Sequence, residues 1–408
     1  MGTASHPEPS LREFIGLTAL IMALISLSID NLLPAFVPIQ QTFGIANPND
    51  LQLIVTVYMI GSGPLQIVYG TVSDVVGRRP ALLVGIAVYA LGALIGCFAS
   101  SYAVLLAGRV VQGMGAAAAQ VLTVALVRDR YEGRDMARVL SLTFMMFILV
   151  PVVAPAIGSL LIHLSGWRAV FASMLVMALV VAIWFGLRMP ETLRPEHRRP
   201  FSLARIAEGV QTTLRQRATM GYAIAVTLQM GCLMTYVSSS QQIFETQVYG
   251  LGDLFPVAFG SIAAAMGVAF YANSALVRSF GLRRLSHLCL IGFAVLAACG
   301  AVVALAWHGK PPLLVFALML TATQFLMCLT MPNFNAIAME PLGAVAGTAS
   351  AVTGLFTTLG GTAIGMYVGT MFDGTVLPLC LTYCVCAAAA LAAVFWGERG
   401  ELVLHETR

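Results

Sequence analysis

Twelve stretches of about twenty mostly apolar residues, separated by short polar gaps, constrain this chain more than any other feature. A helix rises 1.5 Å per residue, so ~20 apolar residues cross the hydrocarbon core of a bilayer. Reading with that window places spans at 13–40, 51–73, 81–99, 102–127, 138–163 and 167–189 in the first half. The second half gives 219–243, 254–277, 285–307, 312–337, 344–371 and 374–397. Composition agrees: of 408 residues, 59% are hydrophobic and 10% charged, against roughly 25% charged in soluble domains. The 22 Lys+Arg and 18 Asp+Glu are too few to solvate a surface of this size. A soluble enzyme or nucleic-acid binder is thereby excluded, and so is disorder, because the chain is apolar rather than charged.

The gaps set the orientation. On one side of a twelve-span arrangement lie Arg12, Arg78, Arg79, Arg128, Arg130, Arg134 and Arg138. The same side takes Arg188, Arg194, Arg198, Arg199, Arg205, Arg215, Arg217, Arg278, Arg283, Arg284, Arg399 and Arg408. The other side holds Arg168 and Lys310, and Arg109 falls inside a span. That asymmetry predicts cytoplasmic termini. The first span is not read as a cleavable leader, since its flank is polar, it is too long, and it contains Asp30. The longest gap, 190–218, is basic, begins Pro-rich and ends on an amphipathic stretch through Leu203, Ile206, Val210 and Leu214. It reads as a cytoplasmic linker lying against headgroups or as an ordinary solvated one. The predicted domains are 1–189, a six-helix bundle; 190–218, the linker; and 219–408, a second six-helix bundle. The halves repeat: GTVSDVVGRRP (70–80) answers NSALVRSFGLRRL (273–285), with Gly77 and Gly281 separated by 204 residues, half the chain. Two parallel six-helix units are a transporter architecture.

Several residues carry chemistry. Gly70 and Gly77 permit a tight reversal between spans 2 and 3. Arg78 and Arg79 sit there at headgroup level, and Asp74 ends a helix where a neighbouring amino terminus, such as that of span 11 near Gly343, offers a positive dipole end. Span 5 carries Pro151, Pro155 and Gly158; the prolines predict a kink and the glycine a close helix approach. Arg109 lies ~10 Å and Asp30 ~15 Å inside the outer surface. An Arg at such depth must face protein or water and have a partner. Desolvation and a nearby cation act on a buried carboxyl in opposite senses, so Asp30 can gain and lose a proton as its surroundings change; a fixed ion pair with Arg109 is the alternative. Further polar residues inside spans are Asn31, Tyr58, Gln112, Gln229, Met230, Tyr236, Gln324 and Asn333, each as apt for helix–helix bonding as for substrate. The eight cysteines, all in apolar stretches, read as free thiols, and no metal site or disulfide framework is expected. There is no Gly-rich Lys-Ser/Thr phosphate loop, HExxH or Ser/His/Asp arrangement, so no enzyme is expected.

In this order and spacing, IDNLLPAFVPI (29–39), GTVSDVVGRRP (70–80), GRVVQGMGAAAA (108–119), VPVVAPAIG (150–158) and MPNFNAIAMEPLGAVAGTASA (331–351) carry a family resemblance. The chain is similar to the major facilitator superfamily, and within it to the drug:proton antiporters of the bicyclomycin/chloramphenicol-resistance type. The resemblance implies an all-α integral membrane fold of twelve helices in two pseudo-symmetric bundles. It implies efflux of small, largely apolar drugs in exchange for protons, by alternating access. It makes Gly70, Asp74, Gly77, Arg78 and Arg79 a gating loop, and the depth of Asp30 and Arg109 makes them the expected proton-coupling residues. Val75 departs from the family pattern, where a basic residue is usual and Asp129 or Asp135 would have been its partner. Pro151, Pro155 and Gly158 mark the antiporter-type helix. A cavity lined mainly by spans 1, 4, 7 and 10 would draw on Asn31, Tyr58, Gln112, Gln229, Met230, Tyr236, Gln324 and Asn333. The expected partners are a small drug-like molecule, protons and the lipid bilayer, with no nucleic acid, cofactor or metal. The expected setting is the bacterial inner membrane, as a multi-pass monomer. Export of an endogenous metabolite such as a sugar or amino acid, or a non-transporting membrane scaffold, are the competing readings.

Overall fold

A computed structural model describes residues 9–131, 133–193 and 203–402. Among these the chain is helical throughout, with no strand. It divides into two compact units, Met1–Ser202 and Leu203–Arg408. Arg194, Arg198 and Arg199 of the expected linker lie outside the described residues.

The first unit holds α1 (Leu11–Asp30), α2 (Phe36–Phe43), α3 (Leu53–Val76), α4 (Arg78–Cys97), α5 (Tyr102–Arg130), α6 (Gly133–Ser165) and α7 (Arg168–Arg188). Helix α5 packs against α3 and α4, while α1 packs against α6. The expected first span, 13–40, is not one helix. It breaks after Asp30, makes a 3-10 turn at Leu33–Ala35 and resumes as α2. Pro34 explains the break: it has no N–H to offer the Asp30 carbonyl. The stretch 138–163, expected as span 5, lies within α6, which runs through Pro151 and Pro155.

The second unit holds α8 (Leu203–Arg215), α9 (Arg217–Ser240), α10 (Phe255–Phe280), α11 (Leu282–Ala306), α12 (Leu313–Met339), α13 (Ala346–Thr370) and α14 (Leu377–Gly397). Here α9 packs against α12, α13 and α14. It ends in a π-helical turn, Gln241–Thr246. The amphipathic end of the expected linker is α8, which packs on α9 and α13 of this unit.

Eleven helices among the described residues are long and apolar enough to cross a membrane, and Val152–Ser165 is a shorter apolar stretch. Large apolar side chains face outward: Leu164 is 71% exposed and Leu314 70%. In water such faces would aggregate; in a bilayer they meet acyl chains.

Candidate functional site

Asp30 is the last residue of α1, buried where the helix breaks. Its Oδ2 accepts a hydrogen bond from Ser26 Oγ, one turn earlier, at 2.8 Å. Ser28, two residues on, presents its hydroxyl to Tyr89 Oη of α4 at 2.5 Å.

Arg109 of α5 is fully buried. Its Nε donates to the Ile54 carbonyl of α3 at 3.1 Å, and its Nη1 to Gln112 Oε1 at 2.6 Å. The guanidinium lies over the Tyr58 ring, 4.4 Å from the centroid. Gln112 in turn donates to Met174 Sδ of α7 at 3.3 Å. Arg109 therefore has partners, as its depth requires, and all of them are neutral. It makes no ion pair with Asp30: Asp30 bonds Ser26, and Arg109 bonds α3 and its own helix. Tyr58 lies within electrostatic reach of both. Residues on α1, α3, α4 and α5 thus make a polar seam through an apolar bundle, with its acid and its base held separately. Burying a guanidinium without a counter-ion costs several kcal/mol, of which a desolvated cation–π contact offsets about 2.

The helix motif of α6 joins this seam. A Cβ on Gly158 would collide with the Asn31 carbonyl, so only glycine lets α6 approach the residue after Asp30 this closely. Asn31 itself donates to Ser173 Oγ of α7 at 3.3 Å.

The 70–80 segment is a helix–Gly–helix reversal. Gly77 has φ 106° and ψ 158°, a conformation open only to glycine. Arg78 is buried, with Nε on Asp129 Oδ2 at 2.9 Å and Nη1 on Asp74 Oδ1 at 2.7 Å. Its Nη1 also reaches Ser73 Oγ at 2.6 Å. Arg79 Nη2 donates to the Gly186 carbonyl at 2.5 Å. Under the turn sits Glu191. Its Oε1 accepts from the Arg78 N–H at 2.8 Å and its Oε2 from the Arg79 N–H at 3.2 Å. A carboxylate on the first N–H groups of α4 satisfies orphan donors and meets the positive end of the helix dipole. Asp129, set against an absent base at position 75, is bonded to Arg78 instead; Val75 is exposed. The Asp135 side chain lies outside the described residues.

In the second unit, the candidate cavity residues divide. Gln229 donates to Thr330 Oγ1 at 2.6 Å. Asn333 exchanges amide bonds with Asn273 at 2.9 and 3.0 Å. Tyr236 stacks on Phe259 at 5.5 Å, and Met230 fills the space opposite Gly361. These four hold helices together, while the buried Gln324 carboxamide has no hydrogen-bond partner among the described residues.

Sequence reasoning missed Ser26, Ser28, Tyr89 and Glu191. The serines recur every second residue up to Asp30, a usable signal. Glu191 follows Pro190 in what reads as linker, and nothing local ties it to Gly77. Also missed was the buried run Ser238–Gln242, which leads into the π-helical turn.

The sequence profile of the Major Facilitator Superfamily matches residues 18–366. A Bacillus subtilis (strain 168) protein called an uncharacterized MFS-type transporter, YdgK, is 30% identical over 397 residues, covering 95% of this chain and 96% of its own. A bicyclomycin resistance protein homolog from Haemophilus influenzae is 27% identical, covering 96% and 97%. The multidrug resistance protein MdtL of Salmonella heidelberg is 26% identical, covering 85% and 89%. Among solved structures, a D-xylose-proton symporter superposes with a TM-score of 0.74 at 16% identity, covering 95% and 97%. The human organic anion transporter MFSD10 (TETRAN) superposes at 0.67 and 17%, covering 96% and 100%. These structures share the fold.

Proposed function

This chain belongs to the Major Facilitator Superfamily, and from that premise we propose that it exports small, largely apolar drugs in exchange for protons. It is a multi-pass membrane transporter rather than an enzyme. The relatives named for bicyclomycin and multidrug resistance support drugs as the cargo. The observation that carries the proton reading is Asp30, a buried carboxyl at a helix break within the first apolar span, bonded to the Ser26 hydroxyl and, among the described residues, in no ion pair. A carboxyl kept at such depth is expensive unless it is used.

Asp30 carries the proton. Arg109 tunes it through space, across Tyr58, rather than by a bond. Such an arrangement leaves the carboxyl free to change charge without first breaking an ion pair. The 70–80 turn, braced by Glu191 and Asp129, acts as the gating latch, with Asp74 partly exposed for a partner. Gly158 on Asn31 lets α6 follow movements at the α1 break. The protein sits as a monomer in the bacterial inner membrane with both termini cytoplasmic.

The test is a drug-susceptibility panel in a bacterial host stripped of its own exporters, with and without a proton ionophore. Protection against several unrelated drugs that vanishes with the ionophore supports the reading. Protection against none, with the protein present in the membrane, contradicts it.

A further inference from the structure

One titratable cluster lies outside everything used so far. It joins the α9 start, the α11 start and the α14 end in the second unit. Tyr222 of α9 and His287 of α11 are both fully buried. Their rings stack nearly parallel, 8° apart, with Tyr222 Oη 2.9 Å from His287 Nε2. The same Tyr222 hydroxyl donates to Glu398 Oε1 at 2.6 Å. Glu398 also accepts from Arg283 Nε at 3.1 Å, and Arg283 Nη2 reaches Glu340 Oε2 at 2.8 Å.

The proton count fixes the donor. A phenol has one hydrogen, and here it points at Glu398. With that hydrogen on Glu398, the Tyr222 oxygen is left to accept from His287 Nε2. The bonded set holds two carboxylates, Glu398 and Glu340, against one guanidinium, Arg283. A proton on His287 brings those charges to balance.

The other charged groups at this end are engaged or lie on the rim. Arg217 donates to the Trp396 carbonyl at 2.6 Å and lies over its ring. Arg284 lies over Phe280. Arg399 and Glu401 are exposed. The Arg278 side chain of α10 lies outside the described residues. The corresponding turn of the first unit has Glu191 under Gly77, much as Glu398 lies beside the Gly281 turn, but Leu83 stands where His287 does. The histidine is thus particular to the second unit.

We infer that His287, Tyr222 and Glu398 form a second proton-binding site, which clasps α9, α11 and α14 together when His287 is protonated. Histidine is the side chain that changes charge between pH 5 and 8. By the positive-inside reading this end faces the cytoplasm, so the clasp tightens as the cytoplasm acidifies. In the proton-driven exporter proposed above, on which this consequence rests, it slows proton entry under acid load.

The test uses the full-length protein in detergent and in everted membrane vesicles. Wild type should melt a few degrees higher at pH 6 than at pH 8, because stability supplied by a proton bound only in the fold fades as pH rises. His287→Gln keeps the donor to Tyr222 but cannot take the proton; it should melt like wild type at pH 8 and lose the gain at pH 6. Tyr222→Phe, which cuts the link to Glu398, should lose the gain as well. In vesicles at a fixed pH difference, drug uptake by wild type should fall severalfold from bath pH 8 to 6, and that by His287→Gln should not. Equal pH dependence of wild type and His287→Gln in either measurement overturns the proposal. A wild type that moves no compound sinks the efflux reading, and the melting comparison still decides the proton site.

Discussion

Arg109 is the residue whose chemistry the structure makes most specific. Its planar guanidinium bonds the Ile54 carbonyl and Gln112 while stacking on Tyr58. Lysine offers a point charge and no such fork. Arg109→Lys is therefore expected to lose at least tenfold in transport, close to Arg109→Gln, although it keeps the charge; transport assays at matched membrane levels check this. Arg78 gives a second contrast. Its two carboxylates differ in exposure, 13% for the Asp129 side chain and 42% for Asp74. Removing one partner of a buried pair costs about 3–5 kcal/mol, whereas an exposed pair contributes about 0–1 kcal/mol. Asp129→Asn should thus lower the melting midpoint in detergent by several degrees and Asp74→Asn by about one or less. If Asp74→Asn still lowers transport, its exposed carboxylate serves the latch rather than stability. At this scale the sequence was half legible. Depth along a helix follows from counting, which put Asp30 and Arg109 inside apolar spans, where the helices carry them. Rotation about the helix axis follows from packing, so counting could not tell that Arg109 would turn to Tyr58 and Ile54 instead of to Asp30.

Elements were more legible than their joints. Runs of apolar residues marked the spans, and Pro34 lies at the bend in the first. That the bend is a full break, with a 3-10 turn between α1 and α2, depends on the Asp30 carbonyl losing its donor and on neighbouring helices accepting the gap. Glu191 was illegible for a different reason: it stands 114 positions from Gly77 and acts by closing on the backbone of Arg78 and Arg79. Its amide variant keeps an acceptor for only one of the two N–H groups and gives up the charge at the α4 amino terminus, worth about 0.3–1 kcal/mol. Glu191→Gln should lower both stability and transport modestly. Gly77→Val, which forces a branched residue into a positive φ and into Glu191, should cost about 1–3 kcal/mol on strain alone and abolish transport. Comparable loss in both variants would show that the carboxylate, rather than the turn, is what the latch needs. Gly158→Leu should act likewise by driving α6 away from Asn31, seen as lost transport with the protein still inserted.

On the scale of the whole molecule, the charge of the gaps and the repeat around Gly77 and Gly281 carry the proposed topology. A reporter fused after Arg408 should be cytoplasmic and one near Gly309 exterior; an exterior carboxy terminus would contradict the twelve-span topology. The proton is the central claim, and Asp30→Asn addresses it most directly. Asparagine preserves size and hydrogen bonding to Ser26 but cannot change charge. In proteoliposomes with an imposed pH gradient, wild type should concentrate a drug against its gradient. Asp30→Asn should lose that accumulation while still equilibrating drug across the membrane. Accumulation by Asp30→Asn equal to that of wild type would contradict proton carriage by this residue.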